Sequence, residues 1–505
     1  MDTPSLIERS AGILLHPTSL PGPYGIGDLG PGAYAWVDFL KSANQKWWQF
    51  LPLGPTGYAD SPYQCFSAFA GNPYLVSPEL LHEEGLLSSE EAAPPTFPED
   101  HVDYGPVIFY KVQLLTRAFE RFESGNARQL REPFARFCEE HKDWLEDYAL
   151  FMALKDAHNL ASWLTWEEEL VMRQPQALEK ARNQYAQDIR RHRFFQFLFF
   201  HQWENLRSYA HENGVSLIGD MPIFISSDSA DIWAFPQGFL VDEHRHPTFV
   251  AGVPPDYFSK TGQLWGNPLY DWEQHKKNGY SWWKKRLSAT LKMVDLVRID
   301  HFRGFEAHWE IPAGNPTAEH GRWVKGPGTD LFDNLLAGMD SLPIIAEDLG
   351  VITPEVDALR LRYNFPGMRV LQFAFGGGVE SRFLPHNYEE QNTIVYTGTH
   401  DNDTSRGFYD KASEYEKDFM RRYMAVSGQD IAWDLIRLAH ASVANLAVAP
   451  LQDVLSLGTE ARMNLPGVVG GNWGWRFHSW QLDDFVTARL ADLTQLYGRA
   501  NPQPE

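Results

Sequence analysis

Three acidic residues stand at the ends of short apolar runs: Asp300 in VRIDHFRG, Glu347 in IIAEDLG and Asp401 in YTGTHDND. Such a set can cleave and remake glycosidic bonds. One carboxylate attacks an anomeric carbon while a second, held protonated, donates to the leaving oxygen. A third stabilises the cationic sugar and lifts the acid's pKa by like-charge repulsion. Each acid alone reads as a solvated or helix-capping residue; the three together, at the ends of three runs, argue for a site. Arg298 precedes Asp300 by two positions, so in an extended strand both side chains leave on one face. A guanidinium there keeps Asp300 ionised and oriented as a nucleophile. His400, next to Asp401, can donate to a sugar hydroxyl. A metal reading of His301 and His400 fails on spacing, since the chain has no His-x-x-x-His and no paired cysteines. No cofactor motif is present either.

Positioning these acids requires strands. Eight β-branched runs bounded by polar residues qualify: 12–16, 47–52, 215–220, 295–301, 343–348, 368–373, 393–397 and 446–450. Amphipathic helical patterns separate many of them, the mark of parallel βα units. Eight such units predict an α/β fold, a (β/α)8 TIM barrel over 1–505 with its active site at the strands' C-terminal ends. Asp300, Glu347 and Asp401 then close the fourth, fifth and seventh strands. Spacing is uneven, which predicts large inserted subdomains on the βα loops. A mainly helical insertion is expected over 54–214, with helices over 107–122 and 181–212, the second closed at Gly214. A second insertion is expected over 226–290, carrying an active-site loop.

Composition narrows the ligand. A formal net charge of -22 argues against nucleic acid and anionic membranes, which need a basic footprint. A neutral substrate fits. Aromatic residues make up 14% of the chain, and although most belong to the core, the excess favours a ligand with flat C–H faces such as a sugar. Two cysteines, Cys65 and Cys138, give no disulfide framework and point to a reducing compartment. With no basic-then-apolar leader and no run of 18 apolar residues, the chain reads as cytoplasmic.

Beyond these residues lie longer strings: GILLHPTSLPGPYGIGDLG, LPLGPTGYADSPYQCFSAFAGNPYL, LIGDMPIFISSDSADIW, GVPPDYFS, GQLWGNPLYDW, RIDHFRGF, IIAEDLG and GTHDNDT. On these strings, which run through nearly the whole chain, the sequence resembles 4-alpha-glucanotransferases of the amylomaltase and plant disproportionating-enzyme family, within the α-amylase clan. The resemblance implies Asp300 as nucleophile, Glu347 as general acid/base and Asp401 as transition-state stabiliser. It adds Tyr63 as a stacking platform and Asp220, Arg298 and His400 as supporting polar groups. Asp256 and Trp265 are implied to lie near bound glucan, Asp256 on a loop over 252–259, and Tyr58 to belong to a second glucan-contact patch. The implied partners are maltooligosaccharides, amylose and starch- or glycogen-derived glucans.

Carboxylates alone do not decide between transfer and hydrolysis. An α-1,4-glucan hydrolase of the α-amylase clan is the alternative reading, and a non-catalytic glucan binder a third. The strings GVPPDYFS and SPYQCFSAFAGNPYL favour the transferase.

Overall fold

Each apolar run that cannot solvate either face must be covered on both, and a closed sheet wrapped in helices is the arrangement that does so. The computed structural model describes residues 7–255 and 259–500. In it eight parallel strands follow one another in chain order: β1 (Ser10–Leu14), β2 (Trp47–Gln49), β3 (Ser216–Pro222), β4 (Leu296–Asp300), β5 (Ile344–Ala346), β6 (Gly367–Val370), β7 (Thr393–Tyr396) and β8 (Leu446–Pro450). β8 returns to pair with β1, from Ser10 opposite Leu446 to Leu14 opposite Pro450. Between β5 and β6 the ladder is replaced by two bonds. Ala346 N–H donates to Pro366 O at 3.0 Å, and Met368 N–H donates to the Asp348 carboxylate at 2.6 Å. The barrel expected from the sequence is therefore present, with an aspartate standing in for a rung at its last seam.

Alternation sets what faces inward. Leu14, Trp47, Ile218, Leu296, Ile345, Met368, Ile394, Tyr396 and Val448 fill the barrel's interior. Their neighbours Ile13, Trp48, Leu217, Val297 and Ile344 pack outward into the helix layer. On β4 the same period of two puts Arg298 and Asp300 on the inner face above Leu296. All eight runs singled out in the sequence hold a barrel strand, and most strands stop short of the run's end. β5, for example, ends at Ala346, which leaves Glu347 free to bend into the mouth.

Among the described residues, the segment between β2 and β3 is built of helices and short turns. The longer helices are Tyr104–Glu123, Arg131–Glu140, Lys142–Ala157, Pro175–Gln184 and Ala186–Glu212. The single helix expected over 181–212 is thus two, broken at Tyr185 (φ -107°, ψ 23°). No Pro or Gly marks that break, so the apolar period runs through it. Gly214, at φ 75°, reverses the chain after the second helix, a conformation that glycine adopts without penalty.

A second sheet was not legible in the sequence. Its four antiparallel strands, in the order Gln263–Pro268, Phe249–Val253, Ala307–Pro312 and Arg322–Lys325, come from both the β3–β4 and the β4–β5 connections. Each strand is short, and the central pairing, of Phe249–Val253 with Ala307–Pro312, reaches across β4 in the chain. Among the described residues no helix is long and apolar enough to cross a membrane.

Candidate active site

Register between β3 and β4 creates the first part of the site. Asp220 stands opposite Arg298, and Pro222 opposite Asp300. Arg298 divides its guanidinium between two acids: Nη1 donates to Asp220 Oδ2 at 2.5 Å and Nη2 to Asp300 Oδ1 at 2.7 Å. Burial works against the Arg298 charge, but the Asp220 and Asp300 carboxylates outweigh it and hold the guanidinium protonated. Asp300 is pushed up by burial and by the charges of Asp220 and Asp401, and pulled down by Arg298.

Glu347 follows β5, the next strand round. Its Oε2 accepts from His301 N–H at 2.8 Å and its Oε1 from Leu349 N–H at 2.7 Å. His301 can present that N–H because its backbone is left-handed, φ 54°, an uncommon state for a residue with a Cβ and one that clusters at functional sites. Burial, then the charge of Asp300, raises the Glu347 pKa to about 8, against the pull of Arg298 and the two amides. Asp300 is in direct ion pairing with Arg298 and Glu347 is not, so a proton shared between these two carboxyls resides on Glu347. The neighbouring Asp348 points the other way, as alternation demands. Fully buried, it accepts from Met368 N–H and pairs with Arg369 and Arg382, both at 3.1 Å, anchoring the strand end from outside.

The third part comes from the loop after β7. Tyr63, half-buried, donates its hydroxyl proton to Asp220 Oδ2 at 2.8 Å. With that proton committed, His400 Nε2, 2.9 Å from the same hydroxyl oxygen, must be the N–H that donates to it. The two rings lie nearly parallel, 16° apart with centroids at 5.2 Å. His400 Nε2 is also 3.3 Å from Asp401 Oδ1. One hydrogen-bonded chain thus runs Asp300, Arg298, Asp220, Tyr63, His400, with Asp401 in ion-pair range at its end and Glu347 reached through the backbone of His301.

These residues are drawn from the ends of β3, β4, β5 and β7 and from the loop after β2, at the mouth where (β/α)8 enzymes carry their chemistry. The profile of the 4-alpha-glucanotransferase family matches residues 15–483. The chain belongs to the 4-alpha-glucanotransferase family. It is 52% identical over 499 residues to the 4-alpha-glucanotransferase of Synechocystis sp., covering 98% of this chain and 99% of that protein. To the 4-alpha-glucanotransferase of Thermus thermophilus it is 53% identical over 496 residues, covering 97% and 99%. Among solved structures, the amylomaltase from Streptococcus agalactiae in complex with acarbose superposes with a TM-score of 0.95 at 38% identity, covering 98% of this chain and 100% of that one.

For a 4-alpha-glucanotransferase family member, the remaining residues singled out in the sequence fall into three groups. Trp265, on the strand Gln263–Pro268, meets His301 edge to face at 4.8 Å and so reaches the site through the residue that holds Glu347. Tyr58 is 72% exposed and stands outside the hydrogen-bonded chain. Asp256, with Tyr257 and Phe258, lies outside the described residues.

Sequence reading passed over Asn464 and Arg462. Asn464 Nδ2 donates to Asp401 Oδ1 at 2.6 Å, while Arg462 donates from Nη2 to Asp401 O at 2.5 Å and from Nε to Asn464 O at 2.7 Å. Both sit in a loop after β8, in RMNLPG, with no strand end to mark them. Asn464→Leu removes the donor that fixes the Asp401 carboxylate and leaves His400 as its neighbour at 3.3 Å. We expect kcat on maltotriose to fall roughly 10- to 100-fold with KM changed much less, because an anchoring hydrogen bond to a charged group is worth about 1.5–3 kcal/mol. Steady-state rates of the two proteins check this; a KM rise with unchanged kcat would assign Asn464 to substrate binding instead.

Proposed function

We propose that this chain transfers α-1,4-glucan segments to the 4-hydroxyl of acceptor glucans or glucose by a retaining double displacement. Family membership supports the activity. The observation that carries the mechanism is the unequal treatment of the two carboxyls: Asp300 is paired with Arg298, whereas Glu347 has no ion-pair partner among the described residues and burial beside Asp300 raises its pKa. Asp300 attacks the anomeric carbon, Glu347 protonates the departing glycosidic oxygen, and a covalent glucosyl-enzyme forms with inverted configuration. The departing glucan leaves the acceptor side. An incoming 4-hydroxyl, deprotonated by Glu347, then attacks the same carbon and restores the original configuration. Asp401, anchored by Asn464, stabilises the oxocarbenium-like sugar during both steps.

Transfer outruns hydrolysis when acceptor subsites deliver a hydroxyl at high effective concentration and water is kept away. Tyr63 supplies a ring face for the transferred sugar. Asp220 Oδ1, buried without a donor among the described residues, supports a contact from a sugar hydroxyl there, since an unmet buried acceptor costs about 1–3 kcal/mol. Arg298 and His400 complete that polar floor. Trp265 and Asp256 contribute glucan contacts from the β3–β4 insertion, and exposed Tyr58 offers a ring to glucan away from the carboxyls. With both cysteines as free thiols, the cytoplasm is the compartment that suits the chain.

Incubation with pure maltotriose tests this reading. Glucose together with products longer than maltotriose is expected, the signature of disproportionation. Glucose and maltose alone, with nothing longer, would mark a hydrolase, and no products at all a binding protein.

A further inference from the structure

A groove of about 1300 Å³ lies between the helices Lys142–Ala157, Ala186–Glu212 and Ser281–Met293. It is separate from the site above: Asp300, Glu347 and Asp401 do not line it, nor does Tyr58. Pockets for single small molecules usually occupy about 300–1,000 Å³, so this one has room for an oligomeric ligand.

Its floor is a strip of rings. Trp144, half-buried, lies nearly parallel to Phe69 at 6.4 Å and 13°, and 6.0 Å from Phe200. Phe200 in turn adjoins Phe137 at 5.5 Å, and Phe69 meets Trp282 edge-on at 6.0 Å. Such ring faces bordering a groove match the C–H faces of successive sugar rings, and rings give up little conformational freedom on binding. Acidic and basic side chains line the groove in equal number, and some neutralise each other, as Lys285 and Asp143 do at 2.7 Å. A balanced rim provides donors and acceptors for hydroxyls while giving no field to recruit a polyanion.

The strip is also joined to the active site. Tyr63, Ser67 and Phe69 occupy one loop, whose far end is held by Ala68 N–H donating to Asp231 Oδ2 at 2.8 Å and by Ala230 N–H donating to Phe66 O at 2.8 Å. A polymer seated in the groove would touch the loop that carries the Tyr63 ring.

We infer that the groove is a further binding site for α-1,4-glucan, distinct from the active site and from the Tyr58 patch and occupied by a stretch of polymer remote from the bond being cleaved. The ligand class rests on the function proposed above; the site itself rests on the groove and its rings. Two variants test it: Trp144→Ala with Phe200→Ala, which strips the floor, and Ala289→Trp, which blocks the groove from the helix Ser281–Met293. Each is first checked for a parental thermal unfolding curve. Carried on an Asp300→Ala background, both are expected to be retarded clearly less than the parent background in native gels containing amylose, the remaining retardation coming from the active site. In active protein, KM for amylose should rise roughly tenfold, the scale of losing one or two ring contacts, with kcat and KM on maltotriose unchanged. Retardation and amylose KM equal to the parent's in a folded variant would overturn the inference. Retardation reads binding without turnover, so the groove is judged separately from the maltotriose assay that judges the reaction.

Discussion

Asp300→Asn lowers glucan transfer by about 10⁴-fold or more while leaving glucan binding nearly intact. The substitution keeps the side chain's shape and an oxygen that Arg298 Nη2, now 2.7 Å from Oδ1, can still reach. What it removes is the nucleophile's negative charge. An amide oxygen does not form a stable glycosyl ester, so the reaction loses its covalent route and with it the partition into two easier steps. The loss falls on kcat because the attacking carboxylate bonds to carbon only on the way to the transition state. Single-turnover transfer from maltotriose measures the rate, and retardation in amylose gels measures binding. Activity within tenfold of the parent would remove Asp300 from the mechanism.

Glu347→Gln carries the second large effect, expected at about 10³-fold in kcat/KM for glucan donors, together with a change in the pH profile. Glu347's pKa is raised to about 8 by burial and by Asp300. A raised pKa keeps the acid form populated below that value and empties it above. Donor cleavage by the parent should therefore fall on the alkaline side as pH climbs through about 8, because protonation of the leaving oxygen needs the acid form. The amide of the variant does not titrate there, so its residual activity should lack this alkaline limb. The acid limb, set by Asp300 taking up a proton, should remain in both. Glucan donors with a poor leaving group will feel the loss most, while α-glucosyl fluoride, whose leaving group needs no protonation, should glycosylate the variant at a rate much closer to the parent's. Equal losses with both donor types would deny Glu347 the role of acid.

Much of this site was legible in the chain because the signals are local. VRID, IIAED and TIVYTGTHD each announce a buried strand and then a carboxylate, and a strand's period of two puts Arg298 with Asp300 without any knowledge of the fold. The accessory sheet was not legible: its central pair forms across β4, and a segment such as Arg322–Lys325, largely exposed, carries no apolar alternation of its own. Asn464 was equally hidden, since it lies 63 residues beyond the aspartate it holds, in a Pro- and Gly-bearing loop.

The sequence by itself determined the barrel, the three acids at its strand ends and the family, because side-chain period, strand-end chemistry and long strings are properties of contiguous residues. Tertiary structure alone decided who stands opposite whom. The β3–β4 register sets Asp220 against Arg298; the turn at His301 sends its N–H to Glu347; Tyr63, from the β2–β3 insertion, meets His400, from the loop after β7. Alternation specifies a face, but the occupant of the facing position depends on register and closure between segments 46 to 337 residues apart. No local pattern encodes that choice; the packing of the whole barrel makes it.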